Sequence, residues 1–471
     1  MGSRSLENNK ERVIRILFGI MKKVNITNFF DNQYLDYSKY VVKDRAIPSV
    51  IDGFKPVHRK IINEAIHYWS NNSVKPLKVF QLGGRVASNQ YYHHGDASLY
   101  GAIITMAQKF KNSLPLLDSI GQFGTLRSPS AGAPRYVSTK LTPYFNLLYK
   151  DSELLTAKID EGVEIEPEYF LPIIPTIIIN GSSGIAVGFS TNILNRNPYD
   201  VIDACICVLE GKKQKILKPY LAEFKGEWTQ NEENSKSWTI KGVYEIVNTS
   251  TVHISELPPN HTYESYEKLL DKLEEKGMIA SYDDNSSDKI DYTLKFQRAT
   301  LKELIEKEKL ENVLGLIGHE TENLTTIDEN QNVKVFDSVN EIVEYFVNFR
   351  LKFYQKRKDY LINKLETEMS VLSNKAKFIK AIIDNKLKVK NVPKTEVEEW
   401  LSKNKFDKIN NSFNYLLQMQ IYSLTKEKYE ELLKETELKK AEIENIKKLV
   451  PKQMYLDDLN ELKKELKKLK I

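Results

Sequence analysis

The sequence predicts a multidomain α+β protein whose last third is helical. The chain has 471 residues, which is too long for one hydrophobic core. Between residues 166 and 337, β-branched runs bounded by turn residues predict strands among short helices. From about residue 338, apolar residues recur at spacings of three and four, which is typical of helices with one buried face.

The elements before residue 338 are short. Residues 22–165 are rich in histidine, glycine, arginine and tyrosine, and predict short helices alternating with loops. IIPTIIIN (173–180) and TVHISELP (251–258) predict strands, because both are β-branched runs bounded by Gly, Asn or Pro. SYEKLLDKLEEKG (265–277) predicts a helix, so residues 166–337 are expected to form a mixed α/β region.

Two long helices are predicted after residue 338. The first carries a one-sided apolar stripe from Leu361 to Ile383, and the second follows residue 425 and stops at Pro451. The stretch between them contains Pro393 and several asparagines, which indicates a small helical knob. This order predicts a long antiparallel coiled coil, although a plain helical bundle fits the periodicity equally well.

Composition excludes several classes of protein. The 69 Lys and Arg residues nearly balance 64 Asp and Glu residues, so any basic surface must come from local clustering. The only cysteines, Cys205 and Cys207, lack a second ligand pair, so we expect reduced, buried thiols and no zinc site. No apolar run approaches the roughly 20 residues of a membrane span, and no signal peptide is visible. A cytoplasmic protein with no membrane partner is expected.

A basic and aromatic cluster lies between residues 45 and 94. It contains four of the seven histidines, several Lys and Arg residues, and interleaved tyrosines. Such side chains suit binding to a phosphate backbone, although a surface helix with chance basic residues would look similar. The members are Arg45, Lys55, His58, Arg59, Lys60, His67, Lys75, Lys78, Arg85, Tyr91, Tyr92, His93 and His94.

Tyr136 has features of a nucleophile. It follows Arg135 directly, in the stretch SAGAPRYVSTK (130–140). A phenol with a pKa of about 10 needs a base, a cation or a metal beside it to attack phosphorus near neutral pH. Arg135 supplies one cation. With 25 tyrosines in the chain, however, the pair alone favours a core aromatic in an ordinary loop.

Five segments in a fixed order extend this pattern. They are RAIPSVIDGFKPVHRK (45–60), YYHHGDASLYGAII (91–104), PLLDSIGQFG (115–124), APRYV (133–137) and NGSSGIAVGFSTNI (180–193). Together they resemble the breakage–rejoining core of type IIA DNA topoisomerases. The resemblance continues through FKGEW (224–228), ISELP (254–258) and YLLQMQIYSLTKEKYEELL (415–433). Among these enzymes, the chain most resembles the DNA-cleaving subunit of large-bacteriophage topoisomerases.

The resemblance implies a role for each matching residue. Tyr136 is expected to be the nucleophile that becomes linked to the 5′ phosphate of each cut strand. Its catalytic neighbours are expected to be Arg135, Arg45 and His94. Ile185 is expected to wedge between base pairs and bend the duplex, since unstacking one step costs a few kcal/mol that wider protein contact offsets. The remaining expected DNA-binding residues are Lys55, His58, Arg59 and His93.

The resemblance also implies a domain order. Residues 1–28 are expected to form an N-terminal extension or arm, and residues 29–165 a winged-helix domain that carries Tyr136. A tower domain is expected over residues 166–337. The coiled coil is assigned to residues 338–384 and 425–471, and the dimer gate to residues 385–424. Two copies would pair through this gate and place one tyrosine on each strand of double-stranded DNA.

Mg²⁺ and ATP are expected to be held by a partner subunit. The chain lacks any D-x-D pair, although the family's metal-binding domain carries such a pair. It also lacks a G-x-x-x-x-G-K-[ST] loop, but this decides little, because the resemblance implies an ATPase with a different nucleotide fold. We therefore predict no metal ligands here and an ATPase and metal-binding partner. Because no long extension follows Ile471, relaxation or decatenation is favoured over active supercoiling. A phage-encoded chain would work in the host cytoplasm.

Two other functions share these residue types. A non-enzymatic DNA-bending protein would use the same basic cluster and Ile185, but would not need Tyr136. A tyrosine recombinase also uses Arg, His and Tyr, but its tyrosine becomes attached to the 3′ phosphate. The identity of the DNA end that carries peptide separates the recombinase from the topoisomerase.

Overall fold

A computed structural model describes residues 26–69, 75–160, 162–287, 289–389, 392–409 and 411–470. The predicted N-terminal extension therefore lies almost wholly outside the described residues. Within the described parts, none of the helices is both long and apolar enough to cross a membrane.

Short helices and short strands alternate up to residue 338, and long helices follow. A helical segment at the N-terminus is divided into Ile26–Asn28, Phe29–Tyr34, Leu35–Tyr40 and Val41–Ala46. The later helices are α1 Pro56–Trp69, α2 Val79–Asn89, α3 Asp96–Ala107, α4 Phe145–Leu148, α5 Thr176–Ile179, α6 Pro198–Glu210, α7 Tyr263–Glu275, α8 Arg298–Glu306, α9 Leu310–Val313, α10 Val339–Ile383, α11 Lys394–Lys403, α12 Asn414–Leu417, α13 Lys426–Lys448 and α14 Pro451–Leu469.

Within the described ranges, the strands form six small sheets. They are β1 Leu77–Lys78, β2 Leu117–Ile120, β3 Ser138–Leu141, β4 Ala157–Asp160, β5 Val163–Pro167, β6 Ser182–Ile185, β7 Ser190–Ile193, β8 Glu227–Gln230, β9 Ser237–Lys241, β10 Val243–Asn248, β11 Thr251–Glu256, β12 Ser281–Asp284, β13 Tyr292–Lys295, β14 Ile317–Thr321, β15 Thr325–Ile327 and β16 Val333–Val335. The larger sheets have the orders β1-β3-β2, β10-β11-β13-β12 and β14-β9-β8, with antiparallel neighbours, and the other three are two-stranded.

One large hydrophobic core organises the N-terminal half. Helices α1, α2 and α3 pack beside the β1-β3-β2 sheet, and Ile61, Leu82 and Ile103 are fully buried there. A separate core forms between residues 252 and 316, where the β11 and β13 side chains pack against α7. The predicted tower region, residues 166–337, is thus divided, because its first part belongs to the large core.

Helices α10 and α13 pack along each other and run in opposite directions. Near one end Lys439 pairs with Glu368 at 2.8 Å, and further along Lys358 donates to the Lys447 carbonyl, also at 2.8 Å. Between these helices, Leu401 and Phe413 are buried in a small helical knob with a core of its own. The helix–knob–helix order predicted from periodicity is therefore present.

Helix α14 departs from the predicted coiled coil. After Pro451 the chain turns back, and Tyr455, Leu459 and Leu462 are fully buried in the large core beside α6 and the start of α10. The turn is fixed by ion pairs, in which Arg357 contacts both Asp151 and Asp458. Proline cannot continue a preceding helix but is favoured in the first turn of a new one, which explains the break.

One strand prediction was wrong. IIPTIIIN (173–180) contains the short helix α5, not a strand, and Ile177, Ile178 and Ile179 are almost fully buried. The segment is buried on every side, so nearly all of its residues are apolar. Its sequence therefore lacks the periodicity that would distinguish a helix from a strand. TVHISELP does form β11, and the helix predicted over residues 265–277 forms as α7.

Candidate functional site

Tyr136 lies in a turn just before β3, with 68% of its surface exposed. The turn is anchored to the large core by the next residue, Val137, which is 2% exposed. The Tyr136 N–H donates to the Ala133 carbonyl at 2.8 Å, and the Phe80 N–H donates to the Pro134 carbonyl at 3.2 Å. The Tyr136 phenol is therefore exposed on an anchored turn and is not a core aromatic.

Two cations border Tyr136. The guanidinium carbon of Arg135 lies 5.1 Å from the centre of the Tyr136 ring. The Lys78 ammonium donates to the Tyr136 carbonyl at 2.8 Å. Positive charge here attracts a phosphate. The sequence counted Lys78 in the basic cluster without assigning it a role, since 58 residues separate it from the tyrosine.

Arg45 and His94 belong to a second group of side chains. The Tyr40 hydroxyl lies 3.1 Å from His94 Nε2, and the Tyr92 ring meets the His94 ring edge-on at 5.2 Å. Burial raises the pKa of Tyr92, while the nearby positive charge of Arg45 opposes the rise. Arg45 and His94 are exposed, so both can reach a ligand. His93 is also exposed, with its ring centre 6.5 Å from that of Tyr91.

Arg59 points inward. Its side chain is 7% exposed and forms an ion pair at 2.7 Å with Asp52, whose carboxylate is fully buried. It also donates to the Phe54 carbonyl at 3.2 Å. These bonds direct the Nε and Nη2 donors of Arg59 into the protein, so the structure favours a structural role for Arg59 over the expected DNA contact.

His58 also departs from the expected DNA contact. Burial, together with the positive charges of Lys55 and Arg59, lowers the pKa of His58 to about 3. The Lys55 N–H lies 3.4 Å from His58 Nδ1, which accepts. A histidine that is neutral at pH 7 adds no charge to a phosphate-binding surface.

Ile185 projects from a two-stranded hairpin made of β6 and β7. It is 88% exposed and pairs across the hairpin with Ser190. The turn between the strands holds Gly188 at φ +76° and leaves Phe189 43% exposed. Sequence reasoning missed Phe189, although an aromatic directly after a turn glycine was a visible signal. Two apolar side chains thus stand at the tip of one rigid ribbon.

The structure brings the backbone beside Arg45 into contact with the hairpin. A Cβ added to Gly184 would clash with the carbonyl oxygen of Ala46, the residue after Arg45. The Lys55 ammonium donates to the Ser183 carbonyl at 2.8 Å. Within the described part of the chain, no hydrogen bond, ion pair or ring contact joins Tyr136 to Arg45 or His94. The candidate residues therefore form two groups that share none of these contacts: the tyrosine turn with Arg135 and Lys78, and the arginine–hairpin surface with Arg45, His94 and Ile185.

The groups beside Tyr136 do not fit a divalent cation. They are the cationic side chains of Arg135 and Lys78, which repel Mg²⁺. Across the described residues, no cluster of three or more His, Cys, Asp or Glu is arranged to hold a metal ion. Mg²⁺ requires oxygen ligands, usually one or two carboxylates.

Comparisons with known proteins give one consistent match. A family model that describes the A subunit of DNA gyrase/topoisomerase IV matches residues 45–466. The chain is 34% identical over 443 residues to the DNA topoisomerase medium subunit of Enterobacteria phage T4, which covers 93% of this chain and 99% of that protein. It is 33% identical to DNA topoisomerase 2 of Plasmodium falciparum, but spans only 35% of that longer protein.

The fold comparison agrees. The crystal structure of the Plasmodium falciparum topoisomerase II DNA-binding, cleavage and re-ligation domain matches with a TM-score of 0.83 and 33% sequence identity. The match covers 93% of this chain and 64% of that one. The mixed α+β architecture is therefore shared with that domain.

Proposed function

The chain belongs to the family of DNA gyrase/topoisomerase IV A subunits and is a DNA-cleaving subunit of a type II DNA topoisomerase, and we propose that Tyr136 is its nucleophile. The family resemblance predicted from the sequence is confirmed. Membership supports an enzyme and not the alternative of a non-enzymatic DNA-bending protein. The observation that carries the proposal for Tyr136 is an exposed phenol on an anchored turn, with a guanidinium beside its ring.

In the proposed step, the Tyr136 oxygen forms a bond to the phosphorus of a DNA phosphodiester while the bond to the 3′ oxygen breaks. The 5′ phosphate remains on Tyr136, the phenolic proton passes to solvent, and the 3′ oxygen takes up a proton. Arg135 stabilises the charge that grows on the phosphate oxygens. Reversal rejoins the strand, so cleavage needs no external energy.

The arginine–hairpin surface is proposed to bind and bend the duplex. Arg45, His93 and His94 are exposed cationic or polar groups suited to phosphates, and Arg45 and His94 are assigned positions next to the scissile bond. Ile185 is proposed to enter between two base pairs, and its 88% exposure on a rigid ribbon supports this role. The bend widens the contact with the protein, which offsets the cost of unstacking.

The domain roles are proposals that the architecture supports. Helices α1 to α3 with the β1-β3-β2 sheet suit a winged-helix domain over residues 29–165. Residues 166–337 are assigned to a tower domain, whose part between residues 252 and 316 has a core of its own. The α10–α13 pair is assigned to a coiled coil. The knob, residues 385–424, is assigned to a gate between two copies, and it carries Tyr422 with 75% of its surface exposed.

A partner subunit is proposed to supply the ATPase and the metal ligands. The phage T4 relative of nearly equal length is named a medium subunit, which implies other subunits in that enzyme. Mg²⁺ bound by that partner would stabilise charge at the scissile phosphate. The assembled enzyme would relax or decatenate double-stranded DNA, in the host cytoplasm if the chain is phage-encoded.

The test compares Tyr136→Phe with Tyr360→Phe, which removes a hydroxyl from an exposed tyrosine on α10, outside the proposed gate. Each variant is mixed with the partner subunit, Mg²⁺, ATP and supercoiled plasmid. Tyr136→Phe should lose all relaxation while still binding DNA, and Tyr360→Phe should retain it. Without the partner, the unmodified chain should bind DNA but cleave poorly. Relaxation by Tyr136→Phe at the rate of the unmodified chain would refute the assignment.

A further inference from the structure

The hairpin that carries Ile185 packs on the end of the helical segment Val41–Ala46, where the chain leaves the helix after Arg45 and Ala46; this end is called the Arg45 turn. The Lys55 ammonium donates to the Ser183 carbonyl at 2.8 Å, two residues before Ile185. On the other side, Asn192 and Asn323 exchange backbone hydrogen bonds of 2.9 Å, which joins β7 to the chain before β15. Both strands of the hairpin are therefore fixed to neighbouring backbone.

The same region has no space between the hairpin and the Arg45 turn. The missing side chain of Gly184 lets the hairpin pack directly on Ala46. In the turn between the two strands, Ala186 and Val187 pack against a small apolar cluster that includes Val42 and Ile47. Because this contact is close-packed, a shift of the hairpin shifts the segment that carries Arg45.

Lys55 is itself held in place. It follows a turn in which Gly53 has a φ of +70°, and a Cβ there would lie 2.8 Å from the Ile177 nitrogen. The buried Asp52–Arg59 pair fixes this turn, since Asp52 also accepts from the Phe54 N–H at 3.0 Å. Burial lowers the pKa of the Lys55 ammonium, which agrees with a group directed into the protein.

We infer that Lys55 is a positioning residue: its ammonium holds the Ile185 hairpin against the Arg45 turn and does not neutralise a DNA phosphate. The inference rests on the proposed function, because it assumes that Ile185 bends DNA. It revises the expected DNA contact of Lys55. The inference also couples DNA bending by Ile185 to phosphate binding by Arg45, because the same packing contact positions both side chains.

The test measures bending and ionic contacts separately, in a chain that carries Tyr136→Phe so that no cleavage occurs. Bending is followed by energy transfer between dyes at the two ends of a short duplex. Ionic contacts are counted from the slope of log binding constant against log salt concentration, to which each neutralised phosphate contributes about 0.9. The variants are Lys55→Met, Lys55→Arg and Gly184→Ala, with Lys109→Met as an exposed, charge-matched control.

Lys55→Met should lower the ratio of bent to unbent complex roughly tenfold, the expected effect of losing one charge-assisted hydrogen bond. Its salt slope should equal that of the parent chain, and Lys55→Arg should restore bending. Gly184→Ala should reduce bending without any loss of charge, which keeps the inference testable if Lys55→Met fails to fold. A salt slope reduced by about 0.9 with normal bending would overturn the inference and make Lys55 a phosphate contact.

Failure of the underlying proposal gives a different pattern. Ile185→Ala should abolish bending whatever the state of Lys55. If Ile185→Ala bends DNA as well as the parent chain does, the wedge assignment fails, independently of the contact between Lys55 and Ser183. Lys109→Met should bend DNA normally in either case.

Discussion

At the scale of single residues, a substitution of Arg59 tests whether this side chain stabilises the fold or binds DNA. Arg59→Gln should destabilise the chain by about 3 kcal/mol or more, because it leaves the buried Asp52 carboxylate without its cation. Urea unfolding of this variant, beside the surface change Lys109→Gln, measures the effect. Unchanged stability combined with weakened DNA binding would contradict the structural role.

His58 predicts a pH dependence of stability. Its pKa of about 3 in the folded chain lies below the ordinary value near 6.5, so between these limits the unfolded chain binds a proton that folded His58 does not. Stability is therefore lost as the pH falls from about 6.5 towards 3, by at most about 1.4 kcal/mol per pH unit. His58→Gln removes this contribution. Urea unfolding at about pH 7, 6 and 5 should show that the free energy of unfolding falls more steeply with decreasing pH in the unmodified chain than in His58→Gln. An equal pH dependence in the two chains would refute the assignment.

The residue scale also shows what sequence could predict about the site. The family resemblance selected Tyr136, Arg135 and Ile185 as candidates, and the structure exposes all three side chains, but their roles stay predictions. The same motifs grouped Arg59 with the DNA-binding residues, because a motif records which residues recur and not which way a side chain points. That direction depends on Asp52, whose buried position is set by tertiary packing.

At the scale of elements, α14 gives a direct test of the architecture. Leu459 is fully buried in the large core, so Leu459→Ala should cost about 2–5 kcal/mol. Leu438 on α13 is 71% exposed, and the same change there should cost less than about 0.5 kcal/mol. Thermal or urea unfolding measures both. Equal effects would mean that α14 extends the coiled coil and does not return to the large core.

Sequence patterns were accurate for elements with one exposed face and failed where all faces are buried. The α10 and α13 helices follow from apolar spacing, because one side of each meets solvent. The α5 segment offered only a run of isoleucines, so its helical turn was set by packing. The return of α14 was also not predicted, since Pro451 marks a break in the helix but not the direction of the chain after it.

At the scale of the whole molecule, the proposed reaction centre needs more than one chain. Within the described residues, the tyrosine turn has cations but no cluster of three or more His, Cys, Asp or Glu that could hold a metal ion. The metal ligands are therefore proposed to come from the partner subunit. If that proposal is right, the isolated chain should bind DNA but cleave it poorly.

The most direct measurement identifies the covalent bond itself. The chain is incubated with its partner subunit, Mg²⁺ and an end-labelled duplex, trapped with detergent, and digested with protease, and the DNA-linked peptide is sequenced by mass spectrometry. We expect the peptide to contain Tyr136 and to be attached to the 5′ phosphate of each cut strand. A peptide on the 3′ phosphate, or one that contains a different tyrosine, would contradict the assignment.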